Sequence, residues 1–143
     1  MDRISIRMQM AATLQIIGKL VTKSFQESDF DVTITQFVIL NLLNSHENLT
    51  LTQQDLSLLM SKDKSAILRQ IDELEKKNMV ARVTDTEDRR KKILMLTKTG
   101  IEAVNQLLEI EGRILDYLIA DVNEEELIIF SKVLSKIKNT AKE

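Results

Sequence analysis

Residues 74–100, LEKKNMVARVTDTEDRRKKILMLTKTG, constrain what this chain can fold into more than any other stretch. A helix-compatible run ends there on the polar Asn78 and gives way to two short apolar segments joined by a charge-dense tip. Met79, Val80 and Val83, and then Ile93, Leu94 and Leu96, suit two strands, because β-branched and apolar residues fit a half-buried pleated surface; the charged run 85–92 between them suits an exposed turn. Residues 52–78 just before it read as two helices joined by a short turn. Two helices, a hairpin and a further helix make the outline of a winged helix-turn-helix, a shape whose usual employment is binding duplex DNA.

The chain has 143 residues, 43% hydrophobic and 29% charged, enough for one ordinary domain with a real core. It has no cysteine, which excludes disulfides, thiolate metal sites and cysteine redox switches. The missing charged-then-apolar leader, together with the lack of any apolar run near the roughly 18 residues of a membrane span, sets the expectation of a cytoplasmic protein with no membrane partner. Proline is absent too, so nothing interrupts long helices. A formal net charge of −2 is unpromising for a nucleic-acid binder until its distribution is read. Residues 61–92 hold 10 basic and 7 acidic side chains, a local +3, while residues 1–60 carry −2 and 93–143 carry −3. Local potential, not total charge, governs contact with phosphates.

Periodicity and caps give the rest of the organisation. Residues 4–28 place Ile4, Met8, Ala11, Leu14, Leu20 and Phe25 at broadly helical spacing, apolar on more than one side, so this helix needs partners on several faces. Thr33 with Gln36 is a capping-box pattern opening a nearly continuous apolar helix to Ser45, and Thr52 with Asp55 repeats it for the first helix of the helix-turn-helix, with Leu56, Leu59 and Met60 expected inward. Thr97 and Asn123 open two final helices, to about residue 120 and over 124–140. The last shows Leu127, Phe130, Leu134, Ile137 and Ala141 at alternating three and four spacing, a seam for another helix. The expected fold class is therefore mainly α, an α+β winged helix in a single domain: a winged helix-turn-helix lobe over 33–97 with a two-stranded wing, flanked by helical dimerisation regions over 1–30 and 98–143. Ile4 and Met8 at one end and the Leu127, Phe130, Leu134, Ile137 seam at the other are the candidate contacts of a homodimer.

The recognition helix, about 62–77, can be oriented from its own residues. Ile67, Ile71 and Leu74 define a buried stripe; at ~100° per residue Lys62, Ser65, Arg69 and Lys76 point the opposite way, toward a major groove. Ser61 is the candidate N-cap, with Lys62, Lys64 and Ser65 in the first turn, where free N–H groups favour a phosphate. Basic residues are slightly unfavourable there, which hints at an external anion. A solvated charged helix and hairpin is the plainer reading of the same pattern.

At this point the residues carry a resemblance. The run Leu74-Glu-Lys-Lys-Asn78-Met-Val-Ala-Arg82, followed by Asp88-Arg-Arg90, Leu96-Thr97 and Gly100, resembles the signature of the multiple antibiotic resistance regulator (MarR) family of bacterial transcription factors, and the resemblance extends over essentially the whole chain. It implies that Arg90 enters the minor groove and Asp88 holds it in place, that the recognition helix reads the major groove, and that the terminal helices of two subunits intertwine. It also implies a ligand pocket between the dimer helices and the DNA-binding lobe, often for small aromatic acids. The chain departs from the family pattern in having Asn78 where glycine commonly ends the recognition helix, Leu68 where a small hydroxyl residue is common, and no proline before the wing aspartate. Asparagine tolerates the left-handed backbone of a helix end.

Other chemistry finds little support. The single His46 follows a core helix and reads as a helix-end residue; zinc wants several ligands, so no metal is expected. Glu124, Glu125 and Glu126 fall in a first turn and complement the helix dipole. No catalytic triad, phosphate-cradling glycine loop or HExxH occurs, so neither enzyme activity nor a cofactor is expected. Met8 and Met10 suit either core filling or an adaptable cavity for a small effector. Two functional readings remain: a homodimeric repressor on a palindromic operator, released by a small effector or a stress signal, and a helical protein-interaction module that dimerises without specific DNA binding. Arg69 on an exposed helix face together with Arg89, Arg90, Lys91 and Lys92 at the wing favours the first.

Overall fold

The computed structural model describes residues 3–46 and 50–141. Among them are six helices and a two-stranded sheet in the order α1 (Arg3–Gln26), α2 (Ile34–Ser45), α3 (Gln53–Met60), α4 (Lys64–Lys76), β1 (Val80–Thr84), β2 (Lys92–Leu96), α5 (Lys98–Leu118) and α6 (Glu124–Thr140). The fold class is the expected one, a mainly α winged helix. The chain divides into two compact units, Met1–Glu111 and Gly112–Glu143. None of the described helices is long and apolar enough to cross a membrane.

The capping boxes act where the sequence puts them. Thr33 accepts from the Gln36 N–H at 3.1 Å while Gln36 Oε1 accepts from the Thr33 N–H at 3.2 Å. Thr52 and Asp55 do the same, with Asp55 Oδ2 accepting from both the Thr52 N–H and its hydroxyl at 2.7 Å. The Thr52 hydroxyl, and then its N–H, hold the Asp55 carboxyl below its ordinary pKa. Asn123 and Glu126 form the third box, at the start of α6.

The core of the first unit is built from α2, α4 and the near ends of their neighbours. Phe25, Ile39, Leu40, Leu56, Ile67, Ile71, Leu74, Val104 and Leu107 are fully buried. Phe25 meets Phe37 edge-on with ring centroids 5.0 Å apart, which seats the end of α1 against α2. Leu59 departs from expectation: it is 53% exposed, because only Leu56 and Met60 lie on the side of this two-turn helix that meets the core.

The wing strands pair antiparallel in the register Val80↔Leu96 to Thr84↔Lys92. Lys92 therefore belongs to β2, not to the turn. A single bridge between Thr52 and Ile93, with the Leu94 N–H donating to the Leu51 carbonyl at 2.8 Å, ties the entry of α3 to the wing.

The end of α4 is a Schellman turn. Asn78 adopts φ 55°, its N–H bonds the Glu75 carbonyl at 2.9 Å, and the Met79 N–H bonds the Leu74 carbonyl at 2.9 Å. Thr97 then caps α5: its N–H reaches back to the Met79 carbonyl at 3.1 Å, and its hydroxyl donates to the Asn78 carbonyl at 2.6 Å and accepts from the Gly100 N–H at 3.0 Å. A β-carbon at Gly100 would overlap the Met79 carbonyl, which gives the Leu-Thr-x-x-Gly spacing a steric cause. Gly100→Ala is expected to destabilise the protein by about 2–3 kcal/mol, because α5 must step away from a backbone oxygen that has nowhere to move. Urea unfolding checks this: the midpoint should fall at unchanged m, and a variant unfolding at the parent's midpoint would show that the contact is slack.

Candidate nucleic-acid interface

The reading helix presents the face its sequence requires. Ile67, Ile71 and Leu74 are fully buried, and Ser65, Arg69 and Lys76 on the opposite side are exposed. Its start differs from expectation. Ser61 does not cap α4; it closes α3 in the left-handed region (φ 50°, ψ 45°), with the Ser61 N–H on the Leu58 carbonyl at 3.2 Å and the Lys62 N–H on the Ser57 carbonyl at 3.1 Å. A residue bent that way cannot adopt the extended backbone of an N-cap. Asp63 takes that position without a side-chain bond, so Lys62 precedes the helix and only Lys64 and Ser65 stand in its first turn. Lys62 lies in the tight turn between the two helices, its backbone carbonyl accepting from the Ser57 hydroxyl at 2.5 Å.

The wing tip is held by two aspartates. Asp85 Oδ1 accepts from the backbone N–H groups of Glu87 (2.7 Å) and Asp88 (3.1 Å), while its own N–H reaches the Lys91 carbonyl at 3.0 Å. These backbone donors, Asp88 before Glu87, keep the Asp85 carboxyl below its ordinary pKa. Asp88 Oδ1 accepts from the Arg90 N–H at 3.0 Å and pairs with Arg90 Nε at 3.6 Å. The Arg90 side chain is 95% exposed, so the contact orients the guanidinium without withdrawing it from solvent. Asp85 supplies locally the stiffness that a proline before the aspartate would give.

Arg82 is the functional residue that sequence reasoning passed over. Its guanidinium bridges Asp72 Oδ1, at 2.7 Å, and Glu75 Oε2, joining the wing to the reading helix. The signal was legible: Arg82 shares a strand face with the buried Val80, where a cation demands carboxylates. Glu73 is occupied as well, accepting from Nε2 of the buried Gln36 at 2.7 Å. Gln36 Oε1 in turn accepts from Lys77 Nζ at 3.2 Å, and Lys77 also holds the Asp31 carbonyl. All three carboxylates of α4 are thus engaged by other side chains, whereas Lys62, Lys64, Arg69, Arg89 and Lys91 enter no ion pair among the described residues.

Between the start of α3 and the wing lies an open cleft of about 630 Å³, lined by Thr52, Gln53 and Gln54 on one side and Arg90, Lys91 and Lys92 on the other. Lys92 Nζ donates to Thr84 across the hairpin at 2.5 Å. His46 is the C-cap of α2, with Nδ1 2.8 Å from the Leu42 carbonyl. Met8 and Met10 are exposed on α1.

A helix-turn-helix whose second helix turns a cationic face outward beside a stiffened cationic wing defines the class of winged-helix DNA-binding proteins. Residues 32–92 match the model of the MarR family. The chain is 28% identical over 126 residues to an HTH-type transcriptional regulator of Bacillus subtilis, YdgJ, covering 88% of this chain and 75% of that one. It is 27% identical to the B. subtilis HTH-type transcriptional repressor MdtR, over 95% of this chain and 85% of the relative. Its fold superposes on Streptococcus pneumoniae FabT in complex with DNA with a TM-score of 0.88, at 18% identity, covering 99% and 98% of the two chains. Residues 32–92 thus carry the match to the MarR family, and over most of its length the chain is similar to winged-helix DNA-binding transcription regulators.

Arg82→Ala is expected to leave Asp72 and Glu75 uncompensated beside the groove face and to weaken binding to any duplex about tenfold at low salt, while costing about 1 kcal/mol of stability. Anisotropy titrations beside a thermal melt check it. Parental affinity in a folded variant would show that these carboxylates do not bear on DNA.

Proposed function

We propose that this regulator is a homodimeric repressor acting in the cytoplasm, that it binds a palindromic operator, and that a small effector or stress signal releases it. The observation that carries the reading is the pairing of exposed Arg69 on the outer face of α4 with Arg90, exposed at the wing tip and oriented by Asp88. Arg69 suits a guanine in the major groove, where it can donate two hydrogen bonds. Arg90 suits the minor groove, whose narrow form concentrates negative potential. Lys62, Lys64, Ser65, Arg89 and Lys91 suit phosphates, Lys64 and Ser65 with the help of the N-terminal dipole of α4 and Lys91 across the cleft from the first turn of α3. The repressor assignment is supported by the likeness to MdtR.

Each unit supports dimerisation separately. On α1, Ile4, Met8, Leu14 and Ile16 are exposed, Met8 by 64%. On α6 no residue is buried: Phe130 is 58% exposed, and Leu134 and Ile137 are exposed beside it, with Leu127 half-buried. Apolar faces of this extent mark an interface. Covering them across a two-fold axis would set two reading helices in successive major grooves about 34 Å apart, hence the palindrome.

Three expected outcomes test the reading. Arg90→Ala should weaken operator binding at an unchanged melting point, whereas Arg69→Ala should lose the discrimination between operator and random duplex worth roughly 1–3 kcal/mol. Competition titrations at several salt concentrations separate them, and binding insensitive to salt would point instead to a protein-interaction module. Leu134→Glu should abolish the dimer and cost solubility and DNA affinity together. Sedimentation equilibrium is the check; a folded monomer of the parent chain that binds a half-site at full strength would overturn the arrangement.

A further inference from the structure

Leu68 is 41% exposed on α4, and the hydrophobic core does not account for it: neither the buried cluster nor the partly buried residues packed against that cluster include it. Its place on the helix is well defined. At ~100° per residue it stands about a quarter-turn from the buried row of Ile67, Ile71 and Leu74, at the edge of the outward face that carries Ser65 and Arg69. One turn further along the same edge comes Asp72, and two turns along comes Glu75, the carboxylates bridged by Arg82 of the wing. Leu68 therefore looks to the wing side of the groove-facing surface, in the fifth position of a helix whose N-terminal half is the part that reaches base edges.

An isobutyl group in that place has no donor or acceptor. Set against the edge of a G·C pair, it would strip water from N7, O6 or N4 and return no hydrogen bond, a loss of affinity. Thymine alone offers an apolar feature in the major groove, its C5 methyl, and there the leucine and the methyl remove each other from water. We infer that Leu68 is a specificity-determining residue that reads a thymine methyl in each half-site. The inference rests on the DNA-binding reading above. Arg69 is the next residue, 1.5 Å along the axis, so the thymine lies within about two base pairs of the pair that Arg69 reads.

The test begins by enriching duplexes from a random pool with the full chain. Each thymine of the enriched half-site is then replaced by deoxyuridine, which removes the methyl and nothing else. One replacement per half-site, within two base pairs of the position whose preference Arg69→Ala erases, should weaken binding about fourfold, the equivalent of ~0.8 kcal/mol for one carbon removed from water. The same replacement should have no effect on Leu68→Ala and should persist in Leu68→Met, which keeps an apolar side chain; both variants should melt with the parent. Deoxyuridine tolerated at every thymine, or an equal loss in Leu68→Ala, overturns the inference while leaving DNA binding intact. A parent chain that enriches no duplex overturns the DNA-binding reading and the inference with it.

Discussion

The peptide unit at Met79 is the point on which the lobe turns. Its N–H closes the Schellman turn of α4 on the Leu74 carbonyl, and its carbonyl receives the Thr97 N–H that starts α5. Val80 begins β1 immediately afterwards, and Gly100 passes over the same carbonyl with no room for a side chain. Reading helix, wing and α5 thus diverge from one residue. Asn78 makes this possible by taking a left-handed backbone that reverses the chain within two residues, and the buried Met79 side chain joins the core beside Leu74. The turn from reader to wing is set by two local hydrogen bonds, Asn78 N–H to the Glu75 carbonyl and Met79 N–H to the Leu74 carbonyl.

A chain of net charge −2 offers a cationic surface because five of the seven acids in residues 61–92 are tied to internal partners. Asp72 and Glu75 are claimed by Arg82, Glu73 by Gln36, Asp55 by Thr52, and Asp85 and Asp88 by the backbone of the wing tip. A carboxylate that accepts such bonds does not lose its charge, but its position is set, and here the positions lie behind or beside the exposed cations. Screening over roughly 8–10 Å at ordinary salt then lets the nearer cations dominate what a phosphate meets. The charge count of residues 61–92 understates this bias, because it weighs inward and outward groups alike.

The elements were legible wherever a short-range rule decides them. Capping boxes at Thr33 and Thr52, the helix start at Asn123, the buried stripe of α4 and the alternation of the wing all stand where the sequence places them. Ser61 closes α3 and does not open α4 because serine suits both ends of a helix, and which end it serves depends on how tightly the two helices must turn. Leu59 was misjudged because an eight-residue helix gives too few turns for the hydrophobic face to be phased by pattern alone. The strand face shows that Arg82 needs carboxylates but not which ones, because they sit on another helix; Asp85 bonds backbone N–H groups only two and three residues on, a local turn signal of the Asx type. Among the candidate contacts, the structure brings Asp88 and Arg90 together and sets Arg90 and Lys91 along one cleft, while Lys62 stands outside the helix to which it was assigned.

The reading helix is gripped from two directions. Arg82 holds its wing-side edge through Asp72 and Glu75, while the buried Gln36, rooted in the cap of α2, holds its last turn through Glu73 and, by way of Lys77, the Asp31 carbonyl ahead of α2. A cylinder restrained in this way has lost the freedom to roll about its own axis without uncovering a buried amide and two carboxylates. It keeps the freedom to be carried. Any displacement of α2 is therefore handed to α4 as a tilt or a translation of the whole, with Ser65, Leu68 and Arg69 kept on its outward side. In mechanical terms the lobe is a lever and not a dial: what varies is where the printed face is held, never which face is turned outward.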